Sequence, residues 1–244
     1  MAHTNTTGTL FGFSGKMASG KSTTAHRVAH TLNEKLRAKE KNTDKDGDNT
    51  DKHRIPDAGF AVISFADALR KEVAQLLRDV QDSATEEEFL KTPSGKETSE
   101  KNARAVFMTL KTSTANTRRT AMQLWGSKIR RAQDPQYWVA QALDTARAYT
   151  SRGINVIFDD VRFVNEAEEI LSNGGYLIRL EIAPAEQERR IVEVRKKKPL
   201  PEAVLNHVSE TDLDNFPHFS LVTNNTYPEK STPNIITWVS YHAS

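Results

Sequence analysis

The chain has 244 residues, and its 34 Lys and Arg against 32 Asp and Glu leave a formal net charge of only +2. So small a total excludes any argument for a nucleic-acid or membrane partner from charge alone. The absence of cysteine excludes disulfides, thiolate nucleophiles and cysteine-based zinc sites. No apolar run approaches the ~18–20 residues that cross a bilayer, and the first residues do not resemble a secretory signal. We expect a cytoplasmic protein with no membrane partner and no direct nucleic-acid binding.

Short apolar runs alternate along the chain with segments whose apolar residues recur at helical spacing, such as those from Ala25 to Leu36 and from Leu69 to Val80. The predicted strands are Leu10–Ser14, Phe60–Phe65, Ile154–Asp159, Tyr176–Ile182 and Phe219–Thr223. Asp134–Pro135 and Thr232–Pro233 are typical helix starts. This alternation predicts an α/β fold with about five mostly parallel strands and helices on both faces, in a single domain spanning 1–244.

Two segments interrupt this alternation. Residues 37–59 are rich in charge, Asn, Asp and Gly and nearly devoid of apolar residues, which predicts a flexible surface insertion. Asp44, Asp46 and Asp48 begin like a calcium loop, but no glutamate closes it at the required offset. Residues 81–101 are acidic and then mixed, and we expect a loop there as well.

The stretch GKMASGKS, from Gly15 to Ser22, satisfies the pattern G-x-x-x-x-G-K-[ST] between a predicted strand and a predicted helix. In such a phosphate loop (P-loop), successive backbone N–H groups surround a phosphate at the positive end of the helix. We expect Lys21 to act on the outer phosphates in catalysis and the Ser22 hydroxyl to bind Mg²⁺. The predicted ATP-binding residues are Gly15, Ala18, Ser19, Gly20, Lys21, Ser22 and Thr23.

Two carboxylates, Asp159 and Asp160, end the apolar run INVIF at the edge of the sheet where ligands bind in α/β folds. One of them, which we take to be Asp159, is predicted to hold Mg²⁺ through water; capping of the next helix is the alternative. Arg162 follows in the loop, and Glu166 lies one helical turn further on, close enough to orient it. A structural salt bridge is the alternative interpretation of this pair.

Basic residues cluster in two further segments. Residues 117–138 contain Arg118, Arg119, Lys128, Arg130 and Arg131 beside Gln, Trp and Gly, which offers forks for phosphate and an amide and ring for a base. A solvated surface is the alternative reading of this cluster. Residues 184–200 have the composition of an exposed helix or lid, in which Arg189, Arg190 and Arg195 are candidates to close over phosphates.

In combination, these motifs resemble the bacteriophage deoxynucleoside monophosphate kinases of the P-loop nucleoside monophosphate kinase superfamily. The similar stretches are GKMASGKST, ISFADALRKEV, RRTAMQLWGSKIRRAQDPQYWV, VIFDDVRFVNEAEEI with GGYLIRLE, and HVSETDLDNFPHFSLVTNN. The resemblance implies Mg²⁺-dependent transfer of the γ-phosphate of ATP to a deoxynucleoside 5′-monophosphate (dNMP), for DNA precursor supply in the cytoplasm of a phage host. Related enzymes are often homodimers.

Carried over by motif, the resemblance implies an acceptor site within a helical region spanning 81–150 and the stretch that precedes it. Its implied residues there are Phe65, Arg70, Arg119, Gln123, Gly126, Ser127 and Trp138. The resemblance also implies that Asp160 faces the acceptor and that Arg162 and Glu166 support catalysis. Two departures from the family, Thr120 and the bulky Trp125, bear on the base preference more than on the reaction. The HVSE stretch also resembles a family element, but no role follows for His207 or Glu210.

Other readings of the P-loop stay open, because switches, motors and kinases all use it. A monophosphate acceptor is mostly dianionic at neutral pH, since its second pKa is ~6, and it needs no general base. A hydroxyl acceptor does need one, and Asp160 is available, which leaves a small-metabolite kinase of shikimate or dephospho-coenzyme A type as the alternative. A DNA-associated P-loop ATPase without kinase activity is the other alternative.

Overall fold

The computed structural model describes residues 7–43, 55–56, 58–112, 117–194 and 206–243. Its sheet contains β1 Leu10–Gly15, β2 Phe60–Ile63, β3 Asn155–Val161, β4 Tyr176–Glu181 and β5 Leu221–Asn224. The strand order is β2-β3-β1-β4-β5, and each neighbouring pair is parallel. The predicted strands are therefore confirmed, with small shifts at their ends.

Helices cover both faces of this sheet because side chains alternate along β1. Phe11 and Phe13 are buried in the core that contains apolar residues of α1 Lys21–Thr43 and of the last helix, Pro228–His242. Gly12 points to the opposite face, where a Cβ atom would lie 2.7 Å from the Ile170 side chain. That close packing leaves room for glycine alone. Five parallel strands with helices on both faces confirm the predicted α/β architecture.

The chain divides into two compact units, one made of Met1–Ser64 with Leu143–Ser244 and the other of Phe65–Ala142. The first unit contains the sheet. The second is helical, with a core built around residues such as Leu76, Phe89, Phe107 and Trp125. That this helical unit binds an acceptor stays a prediction.

The helices of the second unit begin with α2 Ala66–Asp82, α3 Glu86–Leu90, α4 Pro93–Lys96, α5 Glu100–Thr112 and α6 Thr117–Gln123. A π-helix, Leu124–Arg131, continues from α6, and α7 Tyr137–Thr150 leads back to the sheet. In the first unit, α8 is Val164–Ser172, α9 is Pro184–Val194, α10 is Val208–Thr211 and α11 is the last helix, Pro228–His242. Within the described residues, no helix combines the length and the apolar character that a membrane span requires.

Two predicted loops are partly helical. Helix α1 continues to Thr43, so residues 37–43 of the predicted insertion are helical; residues 44–54 and 57, with their aspartates, lie outside the described part of the chain. The stretch 81–101 contains α3 and α4 because Thr85 and Thr92 each cap a helix with the side chain. Local capping therefore outweighs the polar composition of the stretch 81–101.

Two helix starts also differ from the prediction. Helix α11 begins at Pro228, and Pro233, predicted to be near the start, lies inside it. Pro228 takes the first-turn position, where the missing N–H has no partner to lose. Asp134 precedes α7 by a turn, in which its carboxylate accepts from the Gln136 backbone N–H at 2.8 Å.

Candidate nucleotide-binding site

The P-loop joins β1 to α1 with three residues at positive φ: Gly15 at 149°, Ala18 at 61° and Gly20 at 89°. At Gly15 a Cβ atom would lie 2.4 Å from the Leu180 carbonyl oxygen, so the backbone passes too close to β4 for a side chain. Ala18 adopts the left-handed conformation at a cost of about 1–2 kcal/mol. The loop therefore has the tight path expected of a phosphate cradle.

Lys21 is buried at the start of α1. Its ammonium group donates to the carbonyl oxygens of Gly15 at 2.5 Å and Lys16 at 3.0 Å, which folds the side chain over the loop. Burial, followed by the positive charge of Arg162, lowers the Lys21 pKa to about 8. A lysine that is buried beside another cation is stabilised in its charged form when a polyanionic ligand binds.

Ser22 and Asp159, the predicted Mg²⁺ residues, are neighbours because β1 and β3 are paired. The Ser22 hydroxyl oxygen lies 3.5 Å from the Asp159 backbone carbonyl oxygen, and His26 Nε2 lies 3.8 Å from the Asp159 carboxylate. No group of three or more His, Cys, Asp or Glu that could hold a metal occurs in the described residues. A hydroxyl and a carboxylate nonetheless fit Mg²⁺, which commonly completes its shell with phosphate oxygens and water.

Asp160 lies beside Ser64, because β2 and β3 are neighbours and both residues lie at the carboxyl edge of the sheet. The Ser64 hydroxyl donates a hydrogen bond to the Asp160 carboxylate. Asp160 is half-buried. A carboxylate held in this way at the strand ends can face a ligand, as predicted, without having lost contact with solvent.

Arg162 is held by two glutamates in two different ways. The Glu166 carboxylate accepts from the backbone N–H groups of Arg162 at 2.8 Å and Phe163 at 3.1 Å, which caps the start of α8. Glu166 therefore holds the Arg162 backbone, and its part in catalysis stays a prediction. The guanidinium instead pairs with the carboxylate of Glu210 in α10.

Residues 207–214 pack acidic groups against the P-loop. Asp214 pairs with both Lys16 and Arg179, and the Asp212 carboxylate accepts from the Val164 backbone N–H at 2.8 Å. The segment begins with the HVSE stretch, but the partners of Glu210, Asp212 and Asp214 lie far away in the chain. Glu210 and Asp214 are functional candidates that no sequence spacing reveals.

Helix α9, the predicted lid, contacts the P-loop through Gln187 and Arg190. Gln187 donates to the Met17 carbonyl oxygen at 2.9 Å. Arg190 donates to the carbonyl oxygens of Ala18 at 3.2 Å and Thr226 at 2.8 Å. It thereby ties the loop to the chain after β5.

Of the other two lid candidates, Arg189 has partners on its own helix. Arg189 pairs with Glu186 and Glu193 on its own helix. Arg195 lies outside the described residues.

A buried amide completes the support of the loop. The Asn225 side chain donates to the Ser19 carbonyl oxygen at 2.6 Å and accepts from the Ser231 hydroxyl at 2.5 Å. The Ser19 hydroxyl is itself buried, and it has no hydrogen-bond partner within the described residues. An unsatisfied buried hydroxyl inside the loop fits a site that a phosphate completes.

The implied acceptor residues of the second unit divide into exposed and buried sets. Gln123 and Ser127 are exposed, one at the end of α6 and one in the π-helix, and Arg70 pairs with Asp67 on its own helix. Phe65 and Trp138 are buried. The Arg119 side chain lies outside the described part.

Gly126 and Trp138 fix how the π-helix packs within the second unit. A Cβ atom on Gly126 would lie 2.8 Å from the Leu69 side chain, so α2 approaches the π-helix closely only at a glycine. The Trp138 indole N–H donates to the Gly126 carbonyl oxygen at 3.1 Å. Trp138 therefore supports the segment that carries Gln123 and Ser127, and π-helical turns are frequent at functional sites.

Arg130 forms structural contacts within the second unit. Its guanidinium pairs with Glu72 and Glu97 and lies over the rings of Trp125 and Tyr137. Glu72 also accepts from the Trp125 indole N–H at 2.7 Å and the Tyr137 hydroxyl at 2.6 Å. Arg130, a member of the predicted phosphate-binding cluster, therefore belongs to a network that stabilises the second unit.

Comparison with known proteins adds little to this geometry. No family model matches the chain, and no curated protein matches it. A solved structure of a dephospho-CoA kinase from Campylobacter jejuni covers 96% of this chain and 96% of its own, at 12% identity and a TM-score of 0.46. A likeness of that degree carries no argument about activity. The five-stranded parallel sheet with helices on both faces defines an α/β fold, and its loop between β1 and α1 follows the P-loop sequence pattern.

Proposed function

We propose that the protein is an ATP-dependent phosphotransferase, with a dNMP as acceptor. The observation that carries the proposal is the pair of cations at the P-loop. Lys21 is folded over the loop with a lowered pKa, and the Arg162 guanidinium is bound to a carboxylate that also binds the loop backbone. Two fixed cations at one phosphate cradle suit transfer of a phosphoryl group better than binding alone.

In the proposed reaction, an acceptor phosphate oxygen forms a bond to the γ-phosphorus of ATP. The bond from that phosphorus to the β,γ-bridging oxygen breaks, and ADP leaves with the electron pair. No proton has to be removed from a dianionic monophosphate. The residues of this chain therefore have to hold two polyanions together, with Lys21 and the loop amides on ATP and Arg162 near the transferred group. Ser22 and Asp159 would hold Mg²⁺, which would supply further positive charge to the reaction.

The choice of a dNMP as acceptor rests on the motifs R-x-x-x-Q-x-x-G-S and D-x-R-x-x-x-E and their resemblance to the phage enzymes. Two observations support it. Gln123 and Ser127, which the resemblance assigns to the acceptor, are exposed and available to a ligand. Asp160, assigned to the same acceptor, is half-buried at the strand ends.

A second candidate is a small-metabolite kinase that phosphorylates a hydroxyl group, as enzymes of shikimate or dephospho-coenzyme A type do. The contact between Ser64 and Asp160 favours it, since it holds a carboxylate at the carboxyl edge of the sheet where a general base is required. The two candidates differ in how they use Asp160. Replacing Asp160 with Asn should cost a hydroxyl kinase several orders of magnitude in turnover, whereas a dNMP kinase should mainly lose acceptor affinity.

The deciding experiment is a coupled assay of ADP formation with ATP, Mg²⁺ and one acceptor at a time. The panel contains the four dNMPs, the ribonucleotide monophosphates, shikimate and dephospho-coenzyme A, and a parallel ATPase assay contains duplex DNA. We expect turnover with at least one dNMP and none in Lys21→Ala. Turnover with a hydroxyl acceptor alone would favour the second candidate, and ATP hydrolysis stimulated by DNA with no acceptor phosphorylated would leave a DNA-associated ATPase.

A further inference from the structure

Glu210 is a buried carboxylate that joins two parts of the candidate site. Its side chain is 4% exposed and pairs with the Arg162 guanidinium through Oε1. Its Oε2 accepts from the Met17 backbone N–H at 2.7 Å, in the middle of the P-loop. The backbone carbonyl of Glu210 accepts from the Lys16 ammonium at 2.8 Å, which fixes the same short helix to the same loop.

A buried carboxylate is stable only when hydrogen bonds and opposite charge compensate its desolvation. Here one oxygen is bound by a loop amide and the other by a guanidinium. The carboxylate therefore sets the distance between the P-loop and Arg162. If either contact is removed, a buried charged or polar group is left without its partner.

We propose that Glu210 is a positioning residue that holds the Arg162 guanidinium at the P-loop for phosphoryl transfer. The inference rests on the proposed function, because it assigns Arg162 to the transferred group. Glu166 complements Glu210 by holding the Arg162 backbone. Backbone and side chain of one arginine are thus held by two separate glutamates.

Replacing Glu210 with Gln tests this link directly. An amide has one acceptor oxygen, so Gln can satisfy either Met17 or Arg162 while its NH₂ group faces the other donor. Glu210→Asp is the second variant; it keeps the charge but shortens the reach, and it serves if the glutamine variant folds poorly. Asp212→Asn is the matched control, because Asp212 lies on the same segment and binds the Val164 backbone N–H, with no guanidinium partner among the described residues.

We expect turnover in Glu210→Gln and Glu210→Asp to fall about 10²-fold, the typical cost of a misplaced catalytic group, with the Kd for ATP changed less than about threefold. Asp212→Asn should keep turnover within about threefold. The double variant Glu210→Gln/Arg162→Ala should be no slower than Arg162→Ala alone, because Glu210 acts through Arg162. A purely structural role for Glu210 predicts additive losses instead.

Three results would overturn the inference: additive losses in the double variant, unchanged turnover in both Glu210 variants, or ATP binding that tightens in Glu210→Gln. The last would mean that the carboxylate occupies a phosphate position.

Arginine side-chain NMR measures the position of Arg162 without turnover, with the signal assigned by its loss in Arg162→Ala. Slow guanidinium rotation in the wild type that becomes fast in Glu210→Gln supports the link, and equal rotation in both contradicts it. If the wild type phosphorylates no acceptor, the proposed function fails while this measurement still decides the role of Glu210.

Discussion

Two arginines, Arg162 in the sheet unit and Arg130 in the helical unit, stand in motifs that the sequence connects with phosphate binding, yet the structure treats them differently. The Arg162 side chain is 34% exposed and, within the described residues, pairs with one carboxylate, that of Glu210. The Arg130 side chain is 9% exposed and pairs with two, those of Glu72 and Glu97. It also lies over two aromatic rings.

The difference shows that a fold can either leave a cation available to a ligand or neutralise it within its own structure. Two carboxylates and two rings neutralise and desolvate Arg130, so its contribution is to the stability of the helical unit. Arg162 keeps exposed surface at the P-loop, and its ion pair with Glu210 fixes the direction of its guanidinium. An arginine in a motif is therefore a ligand candidate only when carboxylates and rings of the same protein have not already neutralised and buried its guanidinium.

Arg162→Ala should have the largest effect on function. Loss of a charge aimed at the transferred group typically costs 10²–10³-fold in turnover, and we expect about that loss in kcat. The Kd for ATP should stay within about threefold, since Lys21 and the loop amides remain. Steady-state kinetics and calorimetry measure the two quantities, and Arg152→Ala, an exposed arginine of the same unit, is the control. A loss confined to ATP affinity would place Arg162 on the ATP phosphates and not on the transition state.

Arg130→Ala should act on stability. Removal of this buried guanidinium breaks its ion pairs with the partly exposed carboxylates of Glu72 and Glu97, and we expect a loss of about 2 kcal/mol in the free energy of unfolding. Arg118→Ala, an exposed arginine of the same unit, should change it by less than about 0.5 kcal/mol. Urea titration followed by circular dichroism measures both. Equal stabilities for the two variants would show that Arg130 is not a structural residue.

Arg190 and Arg189 extend the comparison to adjacent positions of α9. Arg190 donates to backbone carbonyls of the P-loop and of the chain after β5, so Arg190→Ala should loosen the loop and weaken ATP binding about tenfold. Arg189 is 61% exposed and pairs with glutamates of its own helix, and exposed pairs of this kind contribute little. Arg189→Ala should therefore leave the Kd for ATP unchanged in calorimetry, and a reversed order of effects would contradict the assignment.

The sequence predicts those parts of the site that depend on local spacing. The P-loop is recognisable because Gly15, Gly20, Lys21 and Ser22 follow a fixed pattern after an apolar strand. The neighbouring position of Asp159 follows from parallel strands, whose carboxyl ends share one edge. Local signals also explain the error at 81–101, where Thr85 and Glu88 form a capping box that outweighs the acidic composition.

The role of Glu210 could not be predicted in this way. It lies 48 residues from Arg162 and 193 from Met17 along the chain. The chain contains 32 acidic residues, and no spacing rule says which of them meets a given arginine. The same holds for Arg130, whose partner Glu72 lies 58 residues away. Long-range charge pairing depends on the assembled fold, and it decides which cations a ligand can use.

Tyr137→Phe should give the smallest effect and sharpen the account of the Arg130 network. The Tyr137 hydroxyl donates to Glu72 at 2.6 Å, and its loss should cost about 1 kcal/mol at pH 8. Burial, followed by the hydrogen bond to Glu72, raises the Tyr137 pKa to about 12 from an ordinary value of 10.0. Between these values the unfolded chain loses the phenolic proton while the folded protein keeps it. This contribution is therefore fully present below pH 10 and declines as the pH rises toward 12.

The free-energy difference between wild type and Tyr137→Phe should accordingly shrink from pH 8 to pH 11 in urea titrations. The other tyrosines and the lysines titrate in both proteins, so their effects cancel in this difference. A difference that stays constant over this range would mean that the phenol does not keep its proton for Glu72. The Glu72 carboxylate would then depend on the Arg130 guanidinium and the Trp125 indole N–H, and the contrast between Arg130 and Arg162 would rest on their ion pairs.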